Sequence, residues 1–320
     1  MYSTLKKVHG AVSKRGVSSV LKMLRINKGK VIGTNGSLTI GATITELEHL
    51  DVTLDADKFL KAVAIADESN LKITVTTTGR VKIASGKFKA FIPTVPNDRF
   101  PMSAPEGELI KCEGLLPAIK AVSPFIGDDA IRKWSNGCLI TNKYVYATNN
   151  VTLVRYNVKM DVPSIVIPRG CVTELVRINK EPLGVVCDKS SITFIMDDEV
   201  WVKSSLIDLP WPDMDGFFER NTDLPYIPDD LLTAVESVLP FCEDNKLPKI
   251  HFSSEGVSTS EGALGSNYEG IDLPIGCFHA SVLMDILPSI THIDFSNYPK
   301  PCPFEGNDGL LQGVLMGLIQ

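Results

Sequence analysis

The sequence predicts an α+β protein built from three tandem domains of one fold, and three observations lead to this prediction. Helix-like apolar runs begin near residues 5, 115 and 231, which are 110 and 116 residues apart. A second set of helix-like runs begins at residues 57, 168 and 278, at spacings of 111 and 110. An aromatic-proline pair closes the first two units, at Phe100-Pro101 and Trp211-Pro212, again 111 residues apart. This period is too long for a solenoid repeat and fits domains at 1–105, 106–220 and 221–320.

In the first domain, apolar positions repeat at helical spacing over residues 4–14, and a second helix begins after Asp55 or Asp57, either of which could cap it. Asn35-Gly36 predicts a tight hairpin turn between two strands. The strands are predicted at residues 20–26, 30–34, 37–40, 50–54, 71–77, 80–84 and 88–94.

The second and third domains repeat this order of helix, strands, helix and strands. Pro168 stands at the first turn of a predicted helix, where a missing N–H costs nothing. Helices are predicted at 115–125, 168–178, 228–239 and 278–287. Strands are predicted at 137–141, 144–148, 151–158, 183–187, 191–196, 199–206, 249–253, 256–260, 270–274, 290–295 and 310–318.

The overall composition is that of an ordinary globular chain, with 44% hydrophobic and 22% charged residues. No apolar run approaches the roughly 18 residues that a membrane span needs, and there is no signal-peptide pattern. Seven scattered cysteines without a CxxC motif favour reduced thiols over disulfides or a zinc site. We therefore expect a cytoplasmic protein without a membrane partner.

Charge is distributed very unevenly along the chain. Residues 1–105 contain 16 Lys and Arg against 8 Asp and Glu, whereas residues 221–320 contain 3 against 14. Such a gradient can mark an end that binds a polyanion, or two ends that attract each other between copies of the chain. Solvated faces without a partner are the remaining interpretation.

No catalytic or cofactor motif is found. The sequence has no GxGxxG, no GxxxxGK[ST], no HExxH and no GxSxG, and its five histidines lack metal-ligand spacing. We expect no catalytic residues, no metal and no cofactor, and interpret the chain as a binding or scaffold protein. A small-molecule enzyme on a triplicated scaffold would need a buried polar constellation that the sequence does not contain.

A collinear set of motifs makes the sequence more specific. It comprises FKAFIPTVPNDRFP at 88–101, YATNNVTL at 146–153, SIVIPRGCVTEL at 164–175, WVKSSLIDLPWP at 201–212 and VLMGLIQ at 314–320. In this order and spacing the whole chain resembles the bacterial replicative sliding clamp, the β subunit of DNA polymerase III. The pattern is similar to that of a divergent or phage-encoded member, which would act in a bacterial or host cytoplasm.

The resemblance implies three clamp-fold domains per chain and a head-to-tail homodimer that forms a six-domain ring. Helices would line the pore around double-stranded DNA without reading its sequence, so that the ring tethers a DNA polymerase as a processivity factor. A clamp loader and other proteins with clamp-binding motifs are the further partners implied. Candidate DNA-binding residues are Lys6, Lys7, Lys14, Arg15, Lys58, Lys61, Lys120, Arg132, Lys133 and Arg177.

The resemblance also implies an apolar pocket for short partner peptides. The family's Asp-Gly-His-Arg stretch is here 149–152, Asn-Asn-Val-Thr, and its Met-Pro-Met-Arg ending is here 316–319, Met-Gly-Leu-Ile, so apolar character is kept while polar contacts are lost. We therefore expect peptide binding with an altered consensus. The pocket candidates are Ser135, Thr148, Asn150, Val151, Thr152, Leu153, Pro212, Gly216, Phe217, Leu247, His279, Val282, Val314, Met316, Gly317 and Leu318.

Four apolar positions match the family's dimer interface: Ala90 and Ile92 on one strand, and Phe241 with Cys242 after a helix. The sequence alone leaves dimer against trimer open. It also leaves open a clamp-like scaffold for repair or transcription proteins that rarely encircles DNA.

Overall fold

The computed structural model describes residues 1–13, 18–97, 100, 105, 107–197, 199–219, 223–244, 247–259, 265–306 and 309–319. The chain divides into two compact units. The first unit is Met1–Leu116 with Met160–Pro163 and Ile167–Ile207, and the second is Pro117–Lys159 with Ser164–Val166 and Asp208–Gln320. The predicted α+β class is confirmed, since helices pack on antiparallel sheets. The division into three domains at 1–105, 106–220 and 221–320 stays a prediction.

The elements alternate along the described residues as the repeat predicted. The helices are α1 Tyr2–His9, α2 Ala56–Ile65, α3 Leu115–Val122, α4 Arg169–Ile178, α5 Leu231–Val238 and α6 Ala280–Ile286. The strands up to residue 111 are β1 Met23–Asn27, β2 Lys30–Thr34, β3 Leu38–Thr43, β4 Asp51–Asp55, β5 Lys72–Val75, β6 Arg80–Ser85, β7 Phe88–Val95 and β8 Ile110–Lys111. The next are β9 Gly137–Ile140, β10 Tyr144–Thr148, β11 Thr152–Asn157, β12 Ile165–Pro168, β13 Gly184–Cys187, β14 Ser191–Ile195 and β15 Trp201–Ser205. The last are β16 Lys249–Ser253, β17 Gly256–Ser258, β18 Asn267–Glu269, β19 Gly276–His279, β20 Ile290–Ile293, β21 Cys302–Gly306 and β22 Leu311–Leu315.

The first unit is organised around an eleven-stranded sheet in the order β5-β6-β7-β4-β1-β2-β3-β15-β14-β13-β8. The predicted Asn35-Gly36 turn joins β2 to β3. The Asn35 side-chain oxygen accepts hydrogen bonds from the backbone N–H groups of Ser37 at 3.0 Å and Leu38 at 2.8 Å. Gly36 has a φ of +98°, a conformation that residues with a Cβ rarely adopt.

A helix pair packs on this sheet through apolar faces that the sequence spacing predicts. Leu5 and Val8 of α1 are fully buried, as is Phe59 of α2. Asp55 caps α2, because its carboxylate accepts the backbone N–H of Lys58 at 2.8 Å. The two helices contact each other.

The middle of the eleven-stranded sheet is a seam between strands far apart in sequence. Strand β3 pairs with β15 in antiparallel register, from Leu38 opposite Ser204 to Gly41 opposite Trp201. A Cβ on Gly41 would lie 2.2 Å from the Trp201 ring, so only glycine fits beneath that indole.

The second unit contains two sheets. One has seven strands in the order β12-β9-β10-β11-β22-β21-β20, and the other has four in the order β18-β17-β16-β19. The seven-stranded sheet has a seam of the same kind, in which β11 pairs with β22 from Thr152 opposite Leu315 to Tyr156 opposite Leu311.

A second helix pair, α5 and α6, packs in this unit. Leu231 and Val235 of α5 are fully buried, as are Leu283 and Ile286 of α6. Beside them the rings of Phe252, Phe278 and Phe295 pack together, with centroids 5.0–5.2 Å apart. Such tilted and edge-on packing is the geometry that aromatic quadrupoles favour.

Several predicted elements of the fold were wrong or displaced, and strands β8, β12, β18 and β21 were not predicted. Helix α1 ends at His9, whereas the predicted helix extended to residue 14. After His9 the backbone N–H groups of residues 10–12 each donate to the carbonyl three residues earlier. The segment 270–274, predicted as a strand, lies between β18 and β19, and Pro274 has no N–H to donate there. Residues 276–279 form β19 before α6 begins at Ala280, and β21 was missed because Pro303 interrupts its strand pattern.

Candidate functional site

The first helix pair presents a basic surface. Lys6 of α1 is exposed, and so are Lys58 and Lys61 of α2, which lie three residues apart and thus on one face of the helix. His9 Nε2 lies 2.6 Å from Asp57 Oδ1 and joins the two helices. Lys7 is half-buried on α1. We call the surface of α1 and α2 that contains Lys6, Lys58 and Lys61 the basic helix layer.

Arg177 has a structural role in the first unit. Its guanidinium donates to the carbonyl oxygens of Lys6 at 3.2 Å and Lys7 at 2.7 Å, and its Nε donates to Glu174 at 2.7 Å. The carbonyls in the last turn of a helix lack i→i+4 partners within the helix, and Arg177 provides hydrogen-bond donors to two of them. Arg177 therefore has hydrogen-bond partners within its own chain, and its assignment to DNA binding stays a prediction.

The remaining DNA-binding candidates are dispersed. Lys120 is exposed on α3, and Lys133 is exposed at the start of the 3-10 turn Lys133–Ser135. Arg132, which precedes that turn, lies at the rim of a groove and not on a helix. Lys14 and Arg15 lie outside the described residues.

An apolar groove of about 360 Å³ opens on the second unit, and we call it the anchor groove. This volume lies within the range of small-ligand and peptide pockets. The groove is lined by Arg132, Trp134, Thr148, Asn150, Val151, Thr152, Leu153, Met214, Phe217, Pro301, Val314 and Met316.

The turn between β10 and β11 shapes one wall of the anchor groove. Asn150 adopts a φ of +72°, which asparagine tolerates better than most residues. The Asn149 side-chain oxygen accepts the N–H groups of Val151 at 3.1 Å and Thr152 at 2.7 Å. The Val151 carbonyl in turn accepts the N–H of Met316 at 2.8 Å, so that Val151 and Met316 meet in the groove.

A polar network forms the rim of the groove. Arg132 donates to the Asn150 side-chain oxygen at 2.8 Å, and the Asn150 amide lies 3.3 Å from an Asp129 oxygen. The backbone N–H groups of Arg132 and Ile131 donate to Asp129 and lower the pKa of its carboxyl. The rim is therefore charged at neutral pH while the interior is apolar.

Two aromatic residues, Trp134 and Phe217, also line the groove. Trp134 packs edge-on against Trp211, with ring centroids 4.9 Å apart. Phe217 lies in the 3-10 turn Asp215–Phe218, lines the groove and is 49% exposed. Large exposed aromatic side chains at a concave site are typical anchors for a partner.

Eight of the sixteen pocket candidates line the anchor groove: Thr148, Asn150, Val151, Thr152, Leu153, Phe217, Val314 and Met316. Ser135 is fully buried, and its hydroxyl supports the rim by donating to the Arg132 carbonyl at 2.8 Å. The sequence reasoning missed Trp134, Met214 and Pro301 as lining residues and assigned Arg132 to DNA. The candidates outside the lining are Pro212, Gly216, Leu247, His279, Val282, Gly317 and Leu318.

The chain end explains why Gly317 and Leu318 lie outside the lining. Strand β22 stops at Leu315, and Tyr298 covers the residues that follow. A Cβ on Gly317 would lie 2.4 Å from the Tyr298 ring, whose hydroxyl donates to the Leu318 carbonyl at 2.8 Å. The Leu318 N–H donates to the Cys277 carbonyl at 2.7 Å. The predicted strand 310–318 was therefore too long.

Two of the four interface candidates are core residues. Ile92 is 2% exposed and stands opposite Val81 in the sheet, so its side chain packs inside the first unit. Cys242 is 9% exposed. Ala90 is half-buried, and Phe241 is 64% exposed. This corrects the assignment of Ile92 and Cys242, because a side chain already buried in its own chain cannot be presented to a second copy.

The described residues contain no group of three or more His, Cys, Asp or Glu side chains that could hold a metal ion. Burial raises the pKa of the Cys112, Cys171 and Cys302 thiols to about 12, which keeps them protonated and unreactive at neutral pH. Within the described part of the chain, no helix has both the length and the apolar character of a membrane span.

No protein-family model and no curated protein sequence matches the chain. Solved structures do match it over its full length. The DNA polymerase sliding clamp of Bacillus subtilis has a TM-score of 0.83 at 18% identity, and the β subunit of Streptococcus pyogenes DNA polymerase has 0.83 at 17%. A sliding clamp of Pseudomonas aeruginosa bound to griselimycin has 0.82 at 19%. The match covers 100% of this chain and 97% of each of these chains. The chain therefore has the fold of the sliding clamps of bacterial DNA polymerase III.

Proposed function

We propose that this protein is a DNA sliding clamp, a non-enzymatic processivity factor. Two copies close head to tail around duplex DNA and tether a DNA polymerase to it. The observation that supports this most strongly is the repeated seam between strand triplets, because among the described residues its pairing rule is left unfulfilled by one strand of each type, β7 and β18.

Both seams follow one rule. Most strands form antiparallel triplets that are consecutive in sequence, and these triplets are of two types. The first type comprises β1-β2-β3, β9-β10-β11 and β16-β17-β18, and the second type comprises β5-β6-β7, β13-β14-β15 and β20-β21-β22. In each seam the last strand of a first-type triplet pairs with the last strand of a second-type triplet, β3 with β15 and β11 with β22. Continuing the rule pairs β18 of one copy with β7 of the other.

By this rule β7 and β18 are the two triplet ends left without such a partner among the described residues, although β5, β8, β12, β19 and β20 are edge strands as well. Strand β7 pairs with β6 along its length but with β4 only at Thr94 and Val95, and β18 pairs with β17 alone. Lys89 is exposed on β7 and Glu269 is exposed on β18, so the edges have opposite charges. Pairing them twice closes a two-copy ring and removes the exposed edges.

The exposed apolar side chain on β7 is Phe91, which is 53% exposed and points away from the buried Ile92 beside it. We propose Phe91, with Ala90 and Phe241, as the apolar part of the contact between copies. Burying one such ring contributes about 1.5–3 kcal/mol.

The basic helix layer supports the proposed contact with DNA. Exposed lysines on helices bind phosphates without reading bases, and a closed ring needs only such weak contacts to stay on DNA while sliding. The anchor groove supports the second half of the function, since an apolar concave site can hold Leu or Phe side chains from a polymerase, a clamp loader or another partner.

Identities of 17–19% to the matched clamps support a divergent member of this fold. We propose that the protein is a phage-encoded clamp that acts in a bacterial cytoplasm, because a phage origin fits such divergence.

Mass by light scattering at tens of micromolar in moderate salt tests the ring. The wild type is expected to have the mass of two chains, and Phe91→Asp that of one chain with an unchanged melting temperature. Ile131→Asp is the matched control, because Ile131 is 92% exposed but lies outside the proposed seam. A monomeric wild type would contradict the proposal, and a dimeric Phe91→Asp would place the contact elsewhere.

A further inference from the structure

The anchor groove continues into a second groove of about 420 Å³ in the same unit, which we call the side groove. The two grooves share Phe217, Pro301 and Val314 as lining residues. The side groove is more polar than the anchor groove, since amide, carboxylate and ammonium side chains line it beside apolar ones. Beyond the shared residues its lining consists of Gly216, Phe218, Glu219, Asp294, Asn297, Lys300, Pro303, Gln312 and Gly313.

The turn Asp215–Phe218 separates the two grooves, because Phe217 faces both of them. A short 3-10 turn has few i→i+3 hydrogen bonds of its own, here from Phe217 N–H to the Met214 carbonyl at 3.1 Å, so outside contacts help to hold it in one position. Those contacts come from a cluster around Arg155 of β11.

The Arg155 side chain is 14% exposed and is sandwiched between aromatic rings. Its guanidinium carbon lies 4.3 Å from the Tyr144 ring centroid and 4.1 Å from that of Phe218. Its Nε and one terminal nitrogen donate to the Gln312 side-chain oxygen at 3.0 and 2.9 Å. A stacked guanidinium that is also bonded at its edge has little freedom left.

Asp215 completes the cluster at the start of the turn. One Asp215 oxygen lies 3.5 Å from Arg155 and accepts the Tyr146 hydroxyl proton at 2.8 Å. Burial and this bond to Asp215 raise the pKa of Tyr146, so the hydroxyl stays protonated and continues to donate. Three strands, β10, β11 and β22, thereby hold both ends of the turn.

We propose that the Arg155 cluster fixes the Asp215–Phe218 turn as a partition between the grooves, so that a partner peptide anchored by apolar side chains in one continues across Phe217 into the other. This rests on the proposed function, because it assumes that the anchor groove takes a partner peptide. The proposal adds to that function that the partner peptide needs polar residues flanking its apolar anchor.

The chemistry of that flank follows from the side groove. The Asn297 and Gln312 amides can bond to peptide main chain, and the Glu219 and Asp294 carboxylates accept from N–H groups, so the flank that fits best is rich in hydrogen-bond donors. Because the partition is already fixed in the free chain, binding loses little conformational entropy on the protein side.

Two synthetic peptides test the inference by calorimetry on the full chain, with the tryptophan fluorescence of the protein as a second signal. One is an acetylated and amidated Ser-Leu-Phe-Ser, and the other extends the same anchor with four Asn, Gln or Ser residues on each side. The extended peptide is expected to bind the wild type about tenfold more tightly, the effect of a few added hydrogen bonds.

Arg155→Met, which keeps the stem and removes the charged head, is expected to reduce this advantage to about twofold or less. Asp215→Asn is expected to reduce the advantage of the extended peptide in the same way, and it serves as the test if Arg155→Met lowers the melting temperature too far. In a Phe217→Ala background, Arg155→Met is expected to have no further effect, because it acts through Phe217. Arg80→Met, an exposed arginine of the first unit, is the matched control.

The outcomes separate the two claims. Equal affinity of the wild type for both peptides, or a length advantage unchanged in Arg155→Met and Asp215→Asn, would overturn the further inference and leave the anchor groove intact. Failure of both peptides to bind the wild type would count against the anchor groove itself. Retention of the ring on DNA would be untouched by any of these results.

Discussion

The two helix pairs have the same architecture and opposite charge. The first pair, α1 and α2, contains Lys6, Lys7, Lys58 and Lys61 against one acid, Asp57. The other pair, α5 and α6, contains no lysine or arginine and two acids, Glu236 and Asp285. Both pairs bury an apolar face in their own unit, so the buried positions follow the repeated fold while the exposed positions do not.

This difference shows which part of the repeat is under physical constraint. Buried positions such as Leu5 and Leu231 must fill a closely packed core, and few residues can do so. Exposed positions on a helix cost little to change. The charge of each helix layer is therefore free to follow function, and we expect contact with DNA to be one-sided, through the first helix pair.

Reversing the charge of the first helix pair is expected to have the largest effect. The double change Lys58→Glu and Lys61→Glu removes two phosphate contacts and adds repulsion. It should weaken DNA binding about a hundredfold in low salt and lower the slope of log affinity against log salt by about two. A salt titration by fluorescence anisotropy on duplex DNA measures both quantities.

The matched control is Lys72→Glu with Lys87→Glu, the same charge change at two exposed lysines outside the helix pair. An unchanged slope in the Lys58 and Lys61 variant would show that DNA does not touch the basic helix layer. Strong preference for one base sequence would also contradict the account.

Giving the acidic helix pair the charge of the basic one should have a smaller effect in the opposite direction. Glu236 and Asp285 are both exposed, so Glu236→Lys with Asp285→Lys should fold and tighten duplex binding about five- to tenfold in low salt. The gain should vanish at high salt, because it is electrostatic. Duplex affinity that falls or stays constant would mean that α5 and α6 do not face DNA.

The smallest effect on DNA is expected for Arg177→Met, which separates structural from DNA-binding cations. Arg177 bonds to the C-terminal carbonyls of α1, so its loss should lower the free energy of unfolding by about 1–3 kcal/mol. The DNA salt slope should change by less than one. Chemical denaturation measures the loss of stability, and the same anisotropy titration measures the salt slope. A slope that falls by a full unit would show that Arg177 binds a phosphate.

The parts of the fold that follow from local chemistry could be predicted from the sequence. The Asn35-Gly36 turn, the Asp55 cap and the apolar faces of the helices depend on neighbours within a few residues, and each is present in the structure. Strand β21 was missed because its pairing with β22 overrides the unfavourable Pro303, and no local signal reports a tertiary partner.

Half of the anchor groove was predictable for the same reason. The stretch from Thr148 to Leu153 lies in one turn and strand, and a motif covers it. Trp134, Met214 and Pro301 come from three separate segments that meet only in the fold. The prediction assigned Ile92 to the outer face of its strand, whereas Phe91 is the exposed residue. Adjacent residues of a strand point to opposite faces, so an error of one position reverses the assignment.

The topological link between ring and DNA tests the central claim most directly. With Cys187→Ser as background, Lys89→Cys on β7 and Glu269→Cys on β18 place thiols on the two proposed edges for closure by a short bis-maleimide. The protein is separated into single chains in high salt, dialysed with nicked circular plasmid, cross-linked and washed in detergent. The account predicts protein that stays on circular DNA in detergent and is released when the plasmid is cut once, with none held on linear DNA. Equal retention on circular and linear DNA, or none on either despite complete cross-linking, would contradict a ring that encircles DNA.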